Sequence, residues 1–291
     1  MRRLLPTLAA VLLLAGCASS ATPPADDGLR VVASTDVWAD VASAVAGGDA
    51  EVTALVGRQD PHEYEATARD RLAVARADVV VLNGGGYDAF MDRLVDGSSA
   101  EVVDVAALTG RDGEDGFNEH LWYDLEVVAE AAGVVRDALA RALPDRAEAF
   151  AERAQAFTDA AARLERRVAA LRADAAGAGV AVTEPVPLPL LEAAGLEDRT
   201  PPAFSEAVEE GADVPPAALL EQLRLLEDGE VVLLAVNVQT TDAAVDRVTA
   251  AARAAGVPVV EVRETLPEGR SWLAWMEADI DAVAAAVAGD G

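Results

Sequence analysis

The sequence predicts an α/β protein of two Rossmann-like lobes with mostly parallel sheets, joined by a long rigid helix. Three observations carry this reading. Short apolar runs of β character alternate with segments of helical spacing along both halves of the 291 residues, the rhythm of helices layered on a parallel sheet. Some runs, such as residues 78–83, are apolar almost throughout, as suits a strand buried on both faces. And no glycine or proline interrupts the chain between Pro144 and Gly177.

In chain order, residues 29–34 form the first expected strand and 37–46 a helix. Residues 51–56 form a second strand, after which His62 arrives on a loop. A helix at 69–76 leads into the apolar strand 78–83. Gly84-Gly85-Gly86 breaks that strand, and 87–95 is helical again. The three glycines are not a phosphate loop, since no lysine or second glycine pattern follows them. They read as a strand-to-helix turn near a cleft. Residues 101–105 are a further strand, and the acidic, glycine-rich loop 109–118 delivers His120 ahead of a helix over 123–143.

Pro144 fits the first turn of a helix, where its missing N–H costs nothing. Phe150, Ala154, Phe157, Ala161, Leu164, Val168 and Leu171 then follow at helical spacing. At 1.5 Å per residue, roughly 30 residues span about 45 Å. That exceeds one small domain, so this helix is expected to run along both halves. Beyond it the alternation resumes. Strand 179–183 delivers Glu184, and helix 188–194 ends at Gly195. A helix at 215–226, a buried strand at 231–236 and a helix at 241–255 follow. Strand 257–262 delivers Glu264, and a helix at 272–288 closes the chain. The halves share a rhythm without a repeated sequence.

Acidic residues number 51 against 23 basic ones, giving a formal net charge of -28. Every basic residue is arginine. Such a surface repels a nucleic-acid backbone and offers no basic run to release its counterions. It is compatible with attracting cations, although keeping an alanine- and valine-rich chain soluble accounts for most of the charge. At the N-terminus, Arg2 and Arg3 precede an apolar stretch too short to span a bilayer. It ends in Leu14-Ala15-Gly16-Cys17, and Cys17 is the single cysteine. This reads as a bacterial lipobox whose cysteine is diacylated and becomes the mature N-terminus. A diacyl group anchors stably, whereas a lone free thiol outside the cytoplasm would be an oxidation liability. The mature protein is therefore expected on the outer face of the cell membrane.

The two histidines of the chain stand in Asp60-Pro61-His62-Glu63-Tyr64-Glu65 and Asn118-Glu119-His120-Leu121-Trp122-Tyr123-Asp124. Each lies among carboxylates downstream of an expected strand, and neutral imidazole is the commonest protein ligand for transition metals. His62, His120, Glu184 and Glu264 all follow the C-terminal ends of strands, two in each half. In open α/β sheets, ligands bind at those ends, so two facing lobes would bring all four into one cleft. Monodentate carboxylates would then suit zinc; bidentate ones would suit manganese or iron(II). Against this stands the ordinary surface role of glutamates that follow strands. Asp60, Glu65 and Asp124 could accept a hydrogen bond from a ligand imidazole or serve as caps and solvated acids. Trp122 is expected to pack.

These segments resemble motifs of the extracytoplasmic metal-binding receptors of zinc and manganese ABC transporters, the metal-binding lipoproteins once called adhesins. The first resembles the family's Asp-Pro-His-x-Tyr-Glu, and the second its histidine ahead of Trp and Asp. Glu184 stands twelve residues before the leucine of Gly195-Leu196, the spacing of the family's third ligand. Glu264, in Val262-Arg263-Glu264-Thr265-Leu266, resembles the fourth. The resemblance covers nearly all of the mature chain and implies a metal site of His62, His120, Glu184 and Glu264. It departs from the family in the prolines around Glu184, in glutamate rather than aspartate at 264, and in lacking a histidine-rich loop.

The resemblance implies the following organisation: signal peptide 1–17 with lipidation at Cys17, tether 18–28, N-terminal metal-binding lobe 29–143, linking helix 144–176, and C-terminal metal-binding lobe 177–291. It implies a monomeric binding protein, not an enzyme, that captures zinc or manganese as transported ligand and delivers it to an ABC permease with its cytoplasmic ATPase. A metal-dependent hydrolase on the same four groups and a surface adhesin are the competing readings. With the long helix connecting the lobes, only small lobe motion is expected.

Overall fold

A computed structural model describes residues 28–57, 64–240 and 242–289; Cys17 and His62 lie outside them. The first half runs β1 Leu29–Thr35, α1 Asp36–Ala46, β2 Ala50–Val56, α2 Ala68–Val74, β3 Val79–Leu82, α3 Asp92–Val95, β4 Glu101–Asp104, α4 Val105–Leu108 and α5 Leu125–Ala142. After α6, Ala147–Ala175, the second half runs β5 Gly179–Val182, α7 Leu188–Ala193, β6 Glu197–Asp198, α8 Pro202–Glu209, α9 Pro216–Glu227, β7 Leu234–Asn237, α10 Ala243–Ala255, β8 Val259–Val262 and α11 Trp272–Ala288. Among the described residues no helix is long and apolar enough to cross a membrane.

The strands form two four-stranded parallel sheets, ordered β2-β1-β3-β4 and β6-β5-β7-β8. Each sheet begins with its inner strand, adds one neighbour on one side, then crosses over to the other. The rhythm shared by the two halves is thus a shared topology, and each sheet has a switch point beside its first strand. The apolar run expected as a doubly buried strand is β3, whose four residues are all buried.

One expectation needs correction, and one helix is an addition. Residues 87–95 do not form one helix: a 3₁₀ turn, Ala89–Met91, precedes the single turn of α3. The buried Asp88 carboxylate accepts hydrogen bonds from the Asn83 and Gly84 N–H groups at 2.7 and 2.9 Å, which folds the chain back on itself there. The triple-glycine turn fits this tight path. A Cβ on Gly84, at φ +73°, would lie 2.2 Å from Asp104 Oδ1. The addition is α8, in a stretch to which the sequence assigns no element.

Helix α6 is 29 residues long, about 44 Å at 1.5 Å per residue. Its stripe Phe150, Ala154, Phe157, Ala161, Leu164 and Val168 is buried in one apolar core that reaches Val41 and Val135 on one side and Leu191 and Val283 on the other. The closing helix α11 packs on α1 as well as on α6. Asp40 caps its start by accepting from Trp272 N at 2.7 Å, and Asp36 accepts from Leu266 N at 3.2 Å. The lobes therefore share one continuous core.

Candidate metal centre

Register places the first pair of groups. Strands β5 and β7 pair Ala181 with Leu234 and Val182 with Ala235, so Glu184, two residues past β5, comes abreast of Asn237 at the end of β7. The Asn237 side-chain amide donates to Glu184 Oε2 at 2.6 Å and to Glu264 Oε1 at 2.7 Å. Glu264 follows β8, whose register with β7 delivers it to the same place. Its own N–H donates to Gln239 Oε1 at 2.8 Å, which fixes the backbone that carries it. Two carboxylates from separate strand ends thus meet on one amide nitrogen.

His120 comes from the other lobe. It is 1% exposed and heads the 3₁₀ turn Leu121–Tyr123. The Asn118 side-chain oxygen lies 3.0 Å from His120 N and 2.9 Å from its Nδ1. An amide oxygen only accepts, so this contact places the ring proton on Nδ1 and leaves Nε2 unprotonated. Nε2 faces Glu209 Oε1 at 3.6 Å. Tyr87 bridges the two lobes: its ring lies 6.0 Å from the His120 ring, edge-on, and its hydroxyl donates to Glu264 Oε2 at 3.3 Å. Trp122 is fully buried and packs edge-on against His120 at 5.2 Å, so it both packs and walls the site.

Further bonds fasten the His120 segment to the opposite lobe. The Asn118 amide donates to Pro185 O at 2.9 Å, and Trp272 Nε1 donates to Trp122 O at 2.8 Å. Tyr123 donates its hydroxyl to Asp279 at 2.9 Å. Asp124 does not reach the imidazole; it caps α5 by accepting from Glu126 N and Val127 N. Glu65 is exposed, and Asp60 lies outside the described residues.

The cleft encloses about 1470 Å³ between the lobes, with His120, Asn118, Pro185, Glu209 and Gln239 in its lining. Its walls are strongly acidic. Burial, then the Asp88 carboxylate, pushes Glu119 up to about 7. Burial, then Glu119, Glu184, Glu264 and Glu210, pushes Glu209 up to about 8. Among the described residues of the lining the one arginine, Arg111, pairs with Glu114 on the exposed side. Such a cleft favours cations and repels anions.

Among the described residues no three His, Cys, Asp or Glu side chains make a metal-holding cluster by themselves. The structure brings Glu184 and Glu264 together and sets His120 near them through Tyr87. Three residues of the site escaped the sequence reading: Asn118, Asn237 and Glu209. Only Glu209 had a signal, the Pro201-Pro202 helix start with apolar Phe204 and Val208 four residues apart.

Residues 31–286 match the family described as zinc-uptake complex component A, periplasmic. The manganese-binding lipoprotein MntA of Halalkalibacterium halodurans is 36% identical over 144 residues, 47% of this chain and 48% of the relative. The iron ABC transporter substrate-binding lipoprotein MtsA of Streptococcus pyogenes is 32% identical over 142 residues, 43% of this chain and 46% of the relative. The chain thus spans about half the length of these curated relatives. Among solved structures, the periplasmic zinc-binding protein TroA of Treponema pallidum superposes with a TM-score of 0.75 at 21% identity, over 89% of this chain and 99% of that one. This likeness shows the two-lobed fold.

Proposed function

This chain belongs to the zinc-uptake complex component A family, and from that premise we propose that it captures a divalent transition metal outside the membrane and hands it to an ABC permease. The family is one of substrate-binding proteins. Its relatives are named for manganese, iron and zinc, and we assign zinc or manganese as the transported ligand here.

The observation that carries the reading is the meeting of Glu184 and Glu264 on Asn237, at strand ends whose following residues Pro185 and Gln239 line the cleft together with His120. We assign the metal to His62, His120, Glu184 and Glu264. Burying a dication requires opposite charge, which the two glutamates supply, while Asn118 holds the His120 imidazole in the ligating tautomer. Capture is then reversible chelation with no covalent step. Protons compete for the imidazoles, so affinity falls from pH 7 to pH 5. The shared core and the bonds between the lobes favour small lobe motion on binding.

We further propose that Cys17 carries the lipid anchor, that residues 18–28 are the tether, and that 29–143 and 177–291 are lobes of one monomer joined by 144–176. In this reading the protein is not an enzyme. Turnover of ester or phosphate substrates, abolished by His62→Ala, would reinstate a metal-dependent hydrolase.

The test is elemental analysis of protein purified without added metal, then competition between zinc and manganese by titration calorimetry. One bound metal per chain is expected, with affinity lost on His120→Ala or Glu184→Ala. A wild-type protein that binds neither metal overturns the assignment.

A further inference from the structure

We propose that Asp36 and Tyr123, both from the N-terminal lobe, are positioning residues for Glu264. They hold the loop that carries this carboxylate, so a ligand of one lobe is fixed in place by the other. This rests on the metal-binding reading above, in which Glu264 is a ligand.

The loop runs from the end of β8 to Pro267 and forms neither helix nor strand. A backbone N–H outside regular structure needs an acceptor from elsewhere. All four N–H groups between Val262 and Pro267 find one on a side chain. Arg263 N donates to the Tyr123 hydroxyl at 3.3 Å, and Leu266 N donates to Asp36 Oδ1 at 3.2 Å. Between them, Glu264 N and Thr265 N donate to Gln239 Oε1 at 2.8 and 3.1 Å. Three side chains thus specify the path of the loop, and the two from the other lobe hold its ends.

These acceptors are rooted in different places. Gln239 follows β7 in the same lobe as Glu264, and its own N–H donates to Asn237 Oδ1 at 3.1 Å. That bond turns the Asn237 amide nitrogen towards the two carboxylates. Asp36 is the first residue of α1, and Tyr123 closes the 3₁₀ turn that His120 heads. Tyr123 is fully buried. Its single hydroxyl proton goes to Asp279 at 2.9 Å, which leaves a lone pair for Arg263 N. The turn that carries His120 therefore also grips the loop that carries Glu264.

One turn along α1, Asp40 supplies a control. It too is half-buried and reaches the other lobe, accepting from Trp272 N at 2.7 Å. Its bond falls on the start of α11, beyond the loop. Loss of a bond between the lobes can thus be separated from loss of a hold on Glu264.

The experiment compares wild type with Asp36→Ala, Asp36→Asn, Tyr123→Phe, Asp40→Ala and Glu264→Ala, and with Asp36→Ala and Tyr123→Phe each combined with Glu264→Ala. Dissociation constants for zinc and manganese are measured by chelator competition, and metal-free stability by thermal unfolding. Asp36→Ala and Tyr123→Phe are expected to weaken binding of both metals about tenfold. Asp36→Asn keeps an acceptor oxygen and should recover most of the affinity. Asp40→Ala should lower Tm as Asp36→Ala does, yet leave both affinities as in wild type. In the Glu264→Ala background, Asp36→Ala and Tyr123→Phe should cost no further affinity, since a residue that acts only through Glu264 is silent once that carboxylate is gone. If Asp36→Ala fails to fold, Tyr123→Phe, which keeps the ring, decides by the same comparison. An equal loss of affinity in Asp40→Ala overturns the proposal, because it would mean only a general loosening of the lobes. So do additive losses in the double variants, or an Asp36→Asn protein as weak as Asp36→Ala. A wild type that binds neither metal, or a Glu264→Ala protein that binds like wild type, would instead sink the site assignment, and the proposal with it.

Discussion

Replacing Asn237 with leucine keeps its branched skeleton and removes the amide on which Glu184 and Glu264 meet. The lost bonds are those to Glu184 Oε2 at 2.6 Å and Glu264 Oε1 at 2.7 Å, with a weaker one to Thr240 at 3.3 Å. A hydrogen bond to a charged group contributes about 1.5–3 kcal/mol. One nitrogen serves both carboxylates, and water can reach the partly exposed Glu264, so the two bonds do not add in full. The metal-free variant should lose about 2–4 kcal/mol of stability. For a chain of this size that is a fall in Tm of about 5–10 °C. A bound dication would take over the task of holding the carboxylates together, so the loss in the metal-saturated protein should be less than half as large. Thermal unfolding followed by circular dichroism, with chelator and with saturating zinc or manganese, measures both. An unchanged metal-free Tm would refute the charge-bridging role. Equal losses in the two states would refute the idea that metal and amide act on the same carboxylates.

Asn118→Ala removes the acceptor that orients the His120 ring and should weaken metal binding about 10–100-fold, read by calorimetric titration. Gly84→Ala puts a side chain at φ +73° with its Cβ 2.2 Å from Asp104 Oδ1; more than about 2 kcal/mol of stability should be lost in urea titrations. Asp279, buried against Tyr123, is raised by burial from 3.8 to about 7. The native state therefore keeps a proton that the unfolded chain releases, so stability falls as pH rises from about 4 to 7. Asp36, raised mainly by burial to about 6, acts in the same direction. Asp279→Asn should flatten the slope of unfolding free energy between about pH 4 and 7, and an undiminished slope would mean that Asp279 is not its source.

What the sequence made legible, and what it hid, follows from how far each signal reaches along the chain. The long helix could be read because its stripe from Phe150 to Val168 repeats over many turns, and each of those residues is buried. Glu184 and Glu264 could be singled out because each follows an apolar run, and strand ends are where a parallel sheet presents its ligands. Asn237 could not. It looks like any polar residue ending a strand, and its role arises only from the register of β5 with β7, a relation between segments more than fifty residues apart in sequence. Asn118 was hidden in another way. The nearby Asp124 could either serve the imidazole or cap a helix, and a carboxylate one residue before a helix is drawn to the free N–H groups of the first turn, where it is found. Helix α8 has only two turns and two well-spaced apolar residues, too little to separate it from a proline-rich loop. Glu209, one acid among Glu206, Glu209 and Glu210, was concealed with it. The fold came from local periodicity, whereas the groups that tune the site came from which loops the two sheets bring face to face. Carboxylates at strand ends are therefore visible in the sequence of such a cleft, whereas the neutral amides that hold them are not.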